Sequence, residues 1–437
     1  MENTRLRENT EKNMKYAGAD KTALAGELAA LQREYEEYKK AGLKLDMSRG
    51  KPCPEQLSLS EGLLTALRED AQTKIDGVDA RNYGLLEGLP GVRALFSELL
   101  GAPAENIYVG GGSSLEVMFD TYARHMLFGA YPGATPWCAQ GKIRFLCPAP
   151  GYDRHFAISE CFGTELVTVK MLPTGPDMDE IEELVKDPSV KGVWCVPKYS
   201  NPTGITYSDE TVRRFAALQP AADDFRIFWD NAYAIHDLYN ETEPLLNLYE
   251  ELKKNGKENM AYIFSSFSKV TYAGGSVSMC ASGKENMAFS KSIISKQTIC
   301  NDKINQLRHL LYFKNADGVY AHMKKHAAIL RPKFEAVLET FERELAPAGV
   351  GEWTKPKGGY FISLDLPEGT AKRTYELAKE AGVTLTKVGA TFPYGIDPLD
   401  RNLRIAPSFP SVEDLQKAAE LLCLCAKIAA AEKYLNA

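Results

Sequence analysis

The sequence predicts an α/β fold, with one large domain built on a mainly parallel sheet covered by helices and one smaller α+β domain. Three observations carry this expectation. Six short apolar runs recur through the middle of the chain, at NIYVGGG, IRFLCPAPGY, GVWCVPKYSNPTG, RIFWDNAY, AYIFSSFSK and VSMCAS. Most are β-branched or aromatic and nearly continuous in apolarity, as strands buried on both faces should be. Helical patterns separate them, and such alternation argues for a parallel sheet with helical crossovers. From about Val319 the pattern changes, and helical stretches mix with isolated extended pieces.

The elements follow in order. Residues from about Asp20 to Ala41 read as a helix, with Leu24, Leu28, Leu31, Tyr35 and Tyr38 on one face and Gly42 as a stop. The extended piece LKLDM leads into the turn-rich SRGKPCPE. After the six runs comes a long helix near Val319 to Leu345, then the extended GGYFISLDL, a helix near Thr370 to Ala381, and the extended NLRIAPSF. The last helix opens at Ser411, with Asp414 as an N-terminal capping signal, and carries an apolar stripe of Leu415, Ala418, Leu422, Cys425 and Ala429. The expected division is residues 1–55 as a segment joining the small domain, 56–325 as the large domain and 326–437 as the small one.

A chain of 437 residues suggests two to three structural units at about 150 residues each. The net charge of -6 gives no reason to expect nucleic acid or an anionic membrane as partner. There is no run of about 18 apolar residues to span a bilayer. The polar N-terminus lacks the apolar stretch of a secretory signal. The nine cysteines form no CxxC pair, so they read as free thiols in a reducing cytoplasm and as small buried hydrophobes, not as a disulfide frame or metal site.

Each apolar run ends in a cluster of special residues: GGGSS, PGYDRH, YSNPTG, WDNAY and SSFSK. In open α/β sheets, ligands bind just beyond the carboxyl ends of the strands. Five clusters emerging at that edge would build one site from distant parts of the chain. Lys269, after a serine-rich turn, can present an amine to an aldehyde such as pyridoxal phosphate (PLP). Asp230 can hold a proton on a pyridine nitrogen, and Tyr233 and Asn201 can reach a phenolic oxygen. GGGSS, with Ser113 and Ser114, is a phosphate cradle at a helix N-terminus and no Walker loop, since no GK[ST] follows. Tyr152 can stack on a planar ring. Singly, each cluster has a plainer reading: an exposed lysine, a capping aspartate, an ordinary NP turn, and a structural role for His155.

In their order and spacing, GGGSS, PGYDRH, SNPTG, WDNAY, SFSK and NLRIAPS resemble the fold type I, class I aminotransferases. The likeness runs from the SRGKP loop to the last helix and is nearest to the bacterial aspartate aminotransferase-like subgroup related to the MocR aminotransferase domain. It implies the PLP-dependent transferase fold type I. It implies that Lys269 is the Schiff-base lysine, that Asp230 pairs with the pyridinium nitrogen, and that His155 orients Asp230. Asn201 and Tyr233 would bond the phenolic oxygen, Tyr152 would stack on the ring, and Ser113, Ser114 and Ser266 would bind phosphate. Tyr83, in RNYGLLEGLPG, matches a tyrosine that reaches the partner subunit's phosphate, which implies a homodimer with shared active sites. Arg404 matches the arginine that grips the substrate carboxylate, and Gly50 the glycine of the N-terminal substrate loop.

The family usually places a phosphate-binding arginine shortly after the lysine. Ser276 and Val277 stand there instead, with Ser276 as a candidate hydroxyl donor. Lys303, with Arg308 close behind, lies near the offset where aspartate-specific members carry a cation for the distal carboxylate. The implied activity is a cytoplasmic, ping-pong aminotransferase acting on an amino acid, aspartate or glutamate, and a 2-oxo acid. Two other readings fit similar residues: a different PLP reaction such as β-elimination, and a PLP-sensing regulator of MocR type without its DNA-binding domain.

Overall fold

In the computed structural model, which describes residues 15–68, 72–75 and 77–436, all six apolar runs become strands of one eight-stranded sheet. Its order is Ile107–Val109, Ser278–Ala281, Ala261–Ser266, Arg226–Asp230, Val190–Cys195, Arg144–Ala149, Glu165–Leu172 and Gly175–Pro176. The five strands from Ala261–Ser266 to Glu165–Leu172 pair in parallel. Ser278–Ala281 runs antiparallel to both its neighbours.

The near-continuous apolarity has a simple cause. Successive side chains of a strand point to opposite faces, and both faces here are covered. Ile227 and Trp229 enter one core and Phe228 the other; Ile263 enters the first, Tyr262 and Phe264 the second. The strand Glu165–Leu172 escapes the sequence reading because it sits toward the sheet edge. Only Leu166 and Val169 are buried and the other residues are partly or fully exposed, so ELVTVKML shows no continuous apolar run.

A third core lies outside the sheet. The N-terminal helix spans Lys21–Lys40, capped by Asp20 Oδ1, which accepts from Ala23 N at 2.9 Å. Leu24, Leu31 and Tyr35 bury against residues of the last helix, Val412–Asn436, and Tyr35 donates to Leu377 O at 2.9 Å. Burial of that last helix extends beyond the expected stripe to Leu421, Cys423, Leu424 and Ile428. Leu45–Asp46 pairs in parallel with Val383–Thr384, and the strands Glu352–Trp353, Ile362–Asp365 and Asn402–Ile405 form a separate antiparallel sheet. The helix Ala316–Glu344 links the two regions: Ala316, Val319 and Met323 pack under the large sheet, while Leu330, Phe334 and Phe341 enter the third core.

Not all nine cysteines are buried hydrophobes. Cys138 and Cys161 are exposed and Cys300 is half-buried, because they lie in a short 3-10 turn, at the end of a surface helix and in a loop. Among the described residues, no helix is long and apolar enough to cross a membrane.

Gly382 is the tight point of the junction between the N-terminal segment and the third core. Its φ is +98°, and a Cβ there would lie 2.0 Å from Leu43 O. Its own carbonyl accepts from Leu45 N at 2.9 Å, so the segment cannot back away freely. Gly382→Ala is expected to destabilise the protein by about 2 kcal/mol or more, read as a lowered thermal unfolding midpoint.

Candidate active site

The carboxyl end of Arg226–Asp230 delivers Asp230, paired in register with Phe264 of the neighbouring strand. Just beyond, Asn231 N donates to Phe264 O at 2.8 Å and Ser265 Oγ donates to Asn231 O at 3.1 Å. These bonds tie the WDNAY turn to the SSFSK turn. Lys269 follows, half-buried, with its Nζ 4.9 Å from the centre of the Tyr233 ring.

The helix Asp153–Cys161 starts directly after the Arg144–Ala149 strand and brings His155 to the same place. His155 Nε2 lies 3.0 Å from Asp230 Oδ2, and the two side chains are 2% and 4% exposed. The Trp194 ring stacks on the imidazole at 4.5 Å and 11°, while Tyr152 meets it edge-on at 4.9 Å. The second carboxylate oxygen, Asp230 Oδ1, is buried and has no hydrogen-bond partner among the described residues.

Arg404 reaches this cleft from the strand Asn402–Ile405 of the small sheet. Its Nη1 donates to Asp153 Oδ1 at 2.9 Å and Asn201 Oδ1 at 3.3 Å, and its Nε donates to Thr386 Oγ1 at 3.3 Å. Its guanidinium lies 5.0 Å from the centre of the Phe361 ring. Gly50 backs the same ring so closely that a Cβ would lie 2.4 Å from Phe361 Cζ. Asn201 is buried, and with Oδ1 turned to Arg404 its Nδ2 is the group left to donate.

At the other pole, Ser113 caps the helix Ser114–Phe128 by accepting from Leu115 N at 3.2 Å. The exposed Gly112 precedes it. Ser266 Oγ donates to Ser268 Oγ at 3.0 Å, and Ser268 Oγ to Gly112 O at 3.4 Å, so the two serine-bearing turns adjoin.

A family model described as aspartate amino-transferase matches residues 19–437. The chain belongs to that family. A putative aminotransferase of Mycolicibacterium smegmatis is 48% identical over 93% of this chain and 95% of its own. The aspartate aminotransferase of Corynebacterium glutamicum is 45% identical over 93% of this chain and 94% of its own. The crystal structure of an aspartate transaminase from Corynebacterium glutamicum matches with a TM-score of 0.94 at 44% identity, covering 97% of this chain and all of that one. This family member is therefore a PLP-dependent aminotransferase.

The residues present fit the cofactor. An unpaired buried carboxylate oxygen costs free energy on the order of 1–3 kcal/mol or more, and a pyridinium N–H is the kind of donor that satisfies it. Burial, assisted by the charge of Asp230, holds the Tyr233 phenol well above its ordinary range. Burial also raises Tyr152 to about 12, against the opposing charge of Lys269. Both phenols are thus protonated donors at neutral pH. His236, beside Lys269, is held neutral mainly by burial.

Two sequence expectations need correction. Lys303 offers no open charge to a substrate: it is 3% exposed and its Nζ donates to Gly84 O at 2.8 Å, holding the loop that carries Tyr83. Ser276 is fully enclosed and its hydroxyl donates to Val277 O at 3.3 Å, so it is no free donor for a phosphate. Tyr83 itself is 78% exposed in its own chain. Asp153 and Trp194 were missed. Asp153 sat within the PGYDRH cluster beside Tyr152, whereas Trp194 was indistinguishable from a core residue of its strand.

Asp230→Ala is expected to lower kcat by roughly 10²-fold or more, about 3 kcal/mol of transition-state stabilisation. Steady-state kinetics of the PLP-saturated variant measure this, and a near-normal kcat would remove the carboxylate from the chemistry.

Proposed function

We propose that this aminotransferase exchanges an amino group between aspartate or glutamate and a 2-oxo acid, in two half-reactions at one site. The observation that carries the reading is the meeting of Lys269, Asp230, His155 and Arg404 in one cleft, from four distant segments. Arg404 binds the substrate α-carboxylate, the planar fork of a guanidinium matching two carboxylate oxygens. To do so it exchanges its contact with Asp153 for the incoming carboxylate. Lys269 would hold the cofactor through its amine, and that same amine is the base placed to move the proton at the substrate Cα.

When bound, the cofactor ring supplies an electron sink for the charge that develops at Cα. Asp230 keeps the ring nitrogen protonated, and His155 fixes the carboxylate that does so. Tyr233 and Asn201 donate to the phenolic oxygen, and Tyr152 stacks on the ring. Ser113, Ser114 and Ser266 hold the phosphate, with the helix N-terminus behind them. Gly50 leaves space beside Phe361 for the substrate loop.

The choice of a dicarboxylic donor rests on the name of the Corynebacterium glutamicum relative, since Lys303 is committed elsewhere. A panel of amino acids against 2-oxoglutarate, with the oxo-acid products identified, tests it. Aspartate is expected to exceed alanine and the aromatic donors in kcat/KM by at least about tenfold, with no turnover in Lys269→Ala. A preference for aromatic donors would overturn the substrate assignment.

The same proposal includes a cytoplasmic homodimer in which Tyr83, exposed in its own chain, completes the partner's phosphate site. Mixing the inactive Tyr83→Ala and Lys269→Ala variants should restore part of the activity through hybrid dimers. A fully active monomer in light scattering would refute the shared site.

A further inference from the structure

The phosphate pole, as described, contains hydroxyls, backbone N–H groups and a helix N-terminus, but no cation. The chain carries neither arginine nor lysine between Lys269 and Lys284. A phosphate bears roughly -1.5 to -2 charges at neutral pH, and neutral donors alone match it poorly. The helix Lys303–Phe313 lies directly against this pole. Its Asn305 Nδ2 donates to Gly275 O at 3.0 Å and to Ser276 O at 2.8 Å. Asn305 Oδ1 in turn accepts from Arg308 Nη2 at 2.6 Å. Arg308 Nη2 lies 3.8 Å from the place a Cβ on Gly275 would take, so the guanidinium rests on this turn.

The turn adjoins the glycine loop. Ser276 O lies 3.7 Å from the place a Cβ on Gly112 would take, and Ser278 donates to Gly111 O from its N at 3.0 Å and its Oγ at 2.6 Å. Arg308 Nε is buried and, among the described residues, has no partner. Nor is any carboxylate among the described residues within ion-pair distance of Arg308. A guanidinium aimed by Asn305, free of acidic partners and set behind both phosphate-facing turns is suited to one role.

Resting on the PLP-dependent reading above, we propose that Arg308 supplies the guanidinium that holds the cofactor phosphate. It does so from a helix remote in sequence, in place of an arginine on the Lys269 turn. Asn305 is the positioning residue, holding both the turn and the guanidinium. The contribution is a charge-assisted hydrogen bond, strong because the donor is ionised and the acceptor an anion.

The test uses apoprotein titrated separately with PLP and with pyridoxal, which lacks the phosphate, following the absorbance of the lysine-bound chromophore. Arg308→Ala should weaken PLP binding roughly 10- to 100-fold and leave pyridoxal binding nearly unchanged. Arg308→Lys, which keeps the charge but not the fork, should fall between; it also serves if the alanine variant fails to fold by circular dichroism. Equal losses for PLP and pyridoxal would overturn the proposal, as general damage to the site. Unchanged PLP affinity with a raised KM for aspartate but not alanine would also overturn it, assigning Arg308 to the distal carboxylate. If wild-type apoprotein bound no PLP, the proposed function itself would fail, a result separate from any behaviour of Arg308.

Discussion

Asp230 is held by His155 through one oxygen and left unpaired at the other, inside a region where both side chains are nearly inaccessible to water. A buried charge is tolerated only when it is paired or hydrogen-bonded, and this one is half satisfied by the chain itself. The remaining half is a built-in demand for a donor. Everything around the carboxylate serves to keep that demand in place. Trp194 stacks behind His155, Tyr152 closes its edge, and the pairing of Asp230 with Phe264 sets its height on the sheet. Because the interior is close-packed, none of these groups can shift to quench the free oxygen without opening space elsewhere.

The cleft gains its second wall from a core that is remote in sequence. Tyr199 and Tyr233, which leave the large sheet in the YSNPTG and WDNAY turns, are buried in the same cluster as Phe361 and Leu403. The loops of one sheet are therefore part of the packing of the other. Arg404 spans the junction, bonded to Asp153 and Asn201 on one side and to Thr386 on the other. A guanidinium already held by neutral and acidic partners is pre-oriented, which lowers the cost of ordering it when a carboxylate arrives.

Charge placement in the helix Lys303–Phe313 shows how little a sequence offset says about a cation's use. Lys303 and Arg308 are neighbours on one short helix, yet the first is spent on the carbonyl of Gly84 and the second lies over the Gly275 turn. Lysine is a flexible point charge that can be drawn into any nearby carbonyl, while a guanidinium keeps its geometry and several donors. The same contrast separates Ser276, whose hydroxyl folds back on Val277 O, from Ser113, which caps a helix at the open end of the glycine loop.

By itself the sequence determined the strands of the large sheet that are buried on both faces, the terminal helices, and the clusters that end those strands. These signals are local: apolar continuity, helical periodicity, capping and turn residues all act within a few positions. It also carried Lys269, Asp230, His155, Asn201 and Arg404 as candidates, because their order along the chain is itself a pattern. Only the tertiary structure decided which polar groups were left free. The half-exposed strand Glu165–Leu172, the exposure of Cys138 and Cys161, the engagement of Lys303 with Gly84 and the approach of Arg308 to Gly275 depend on neighbours far along the chain. A side chain's partners are set by packing, and packing brings together residues whose separation in sequence carries no local signal.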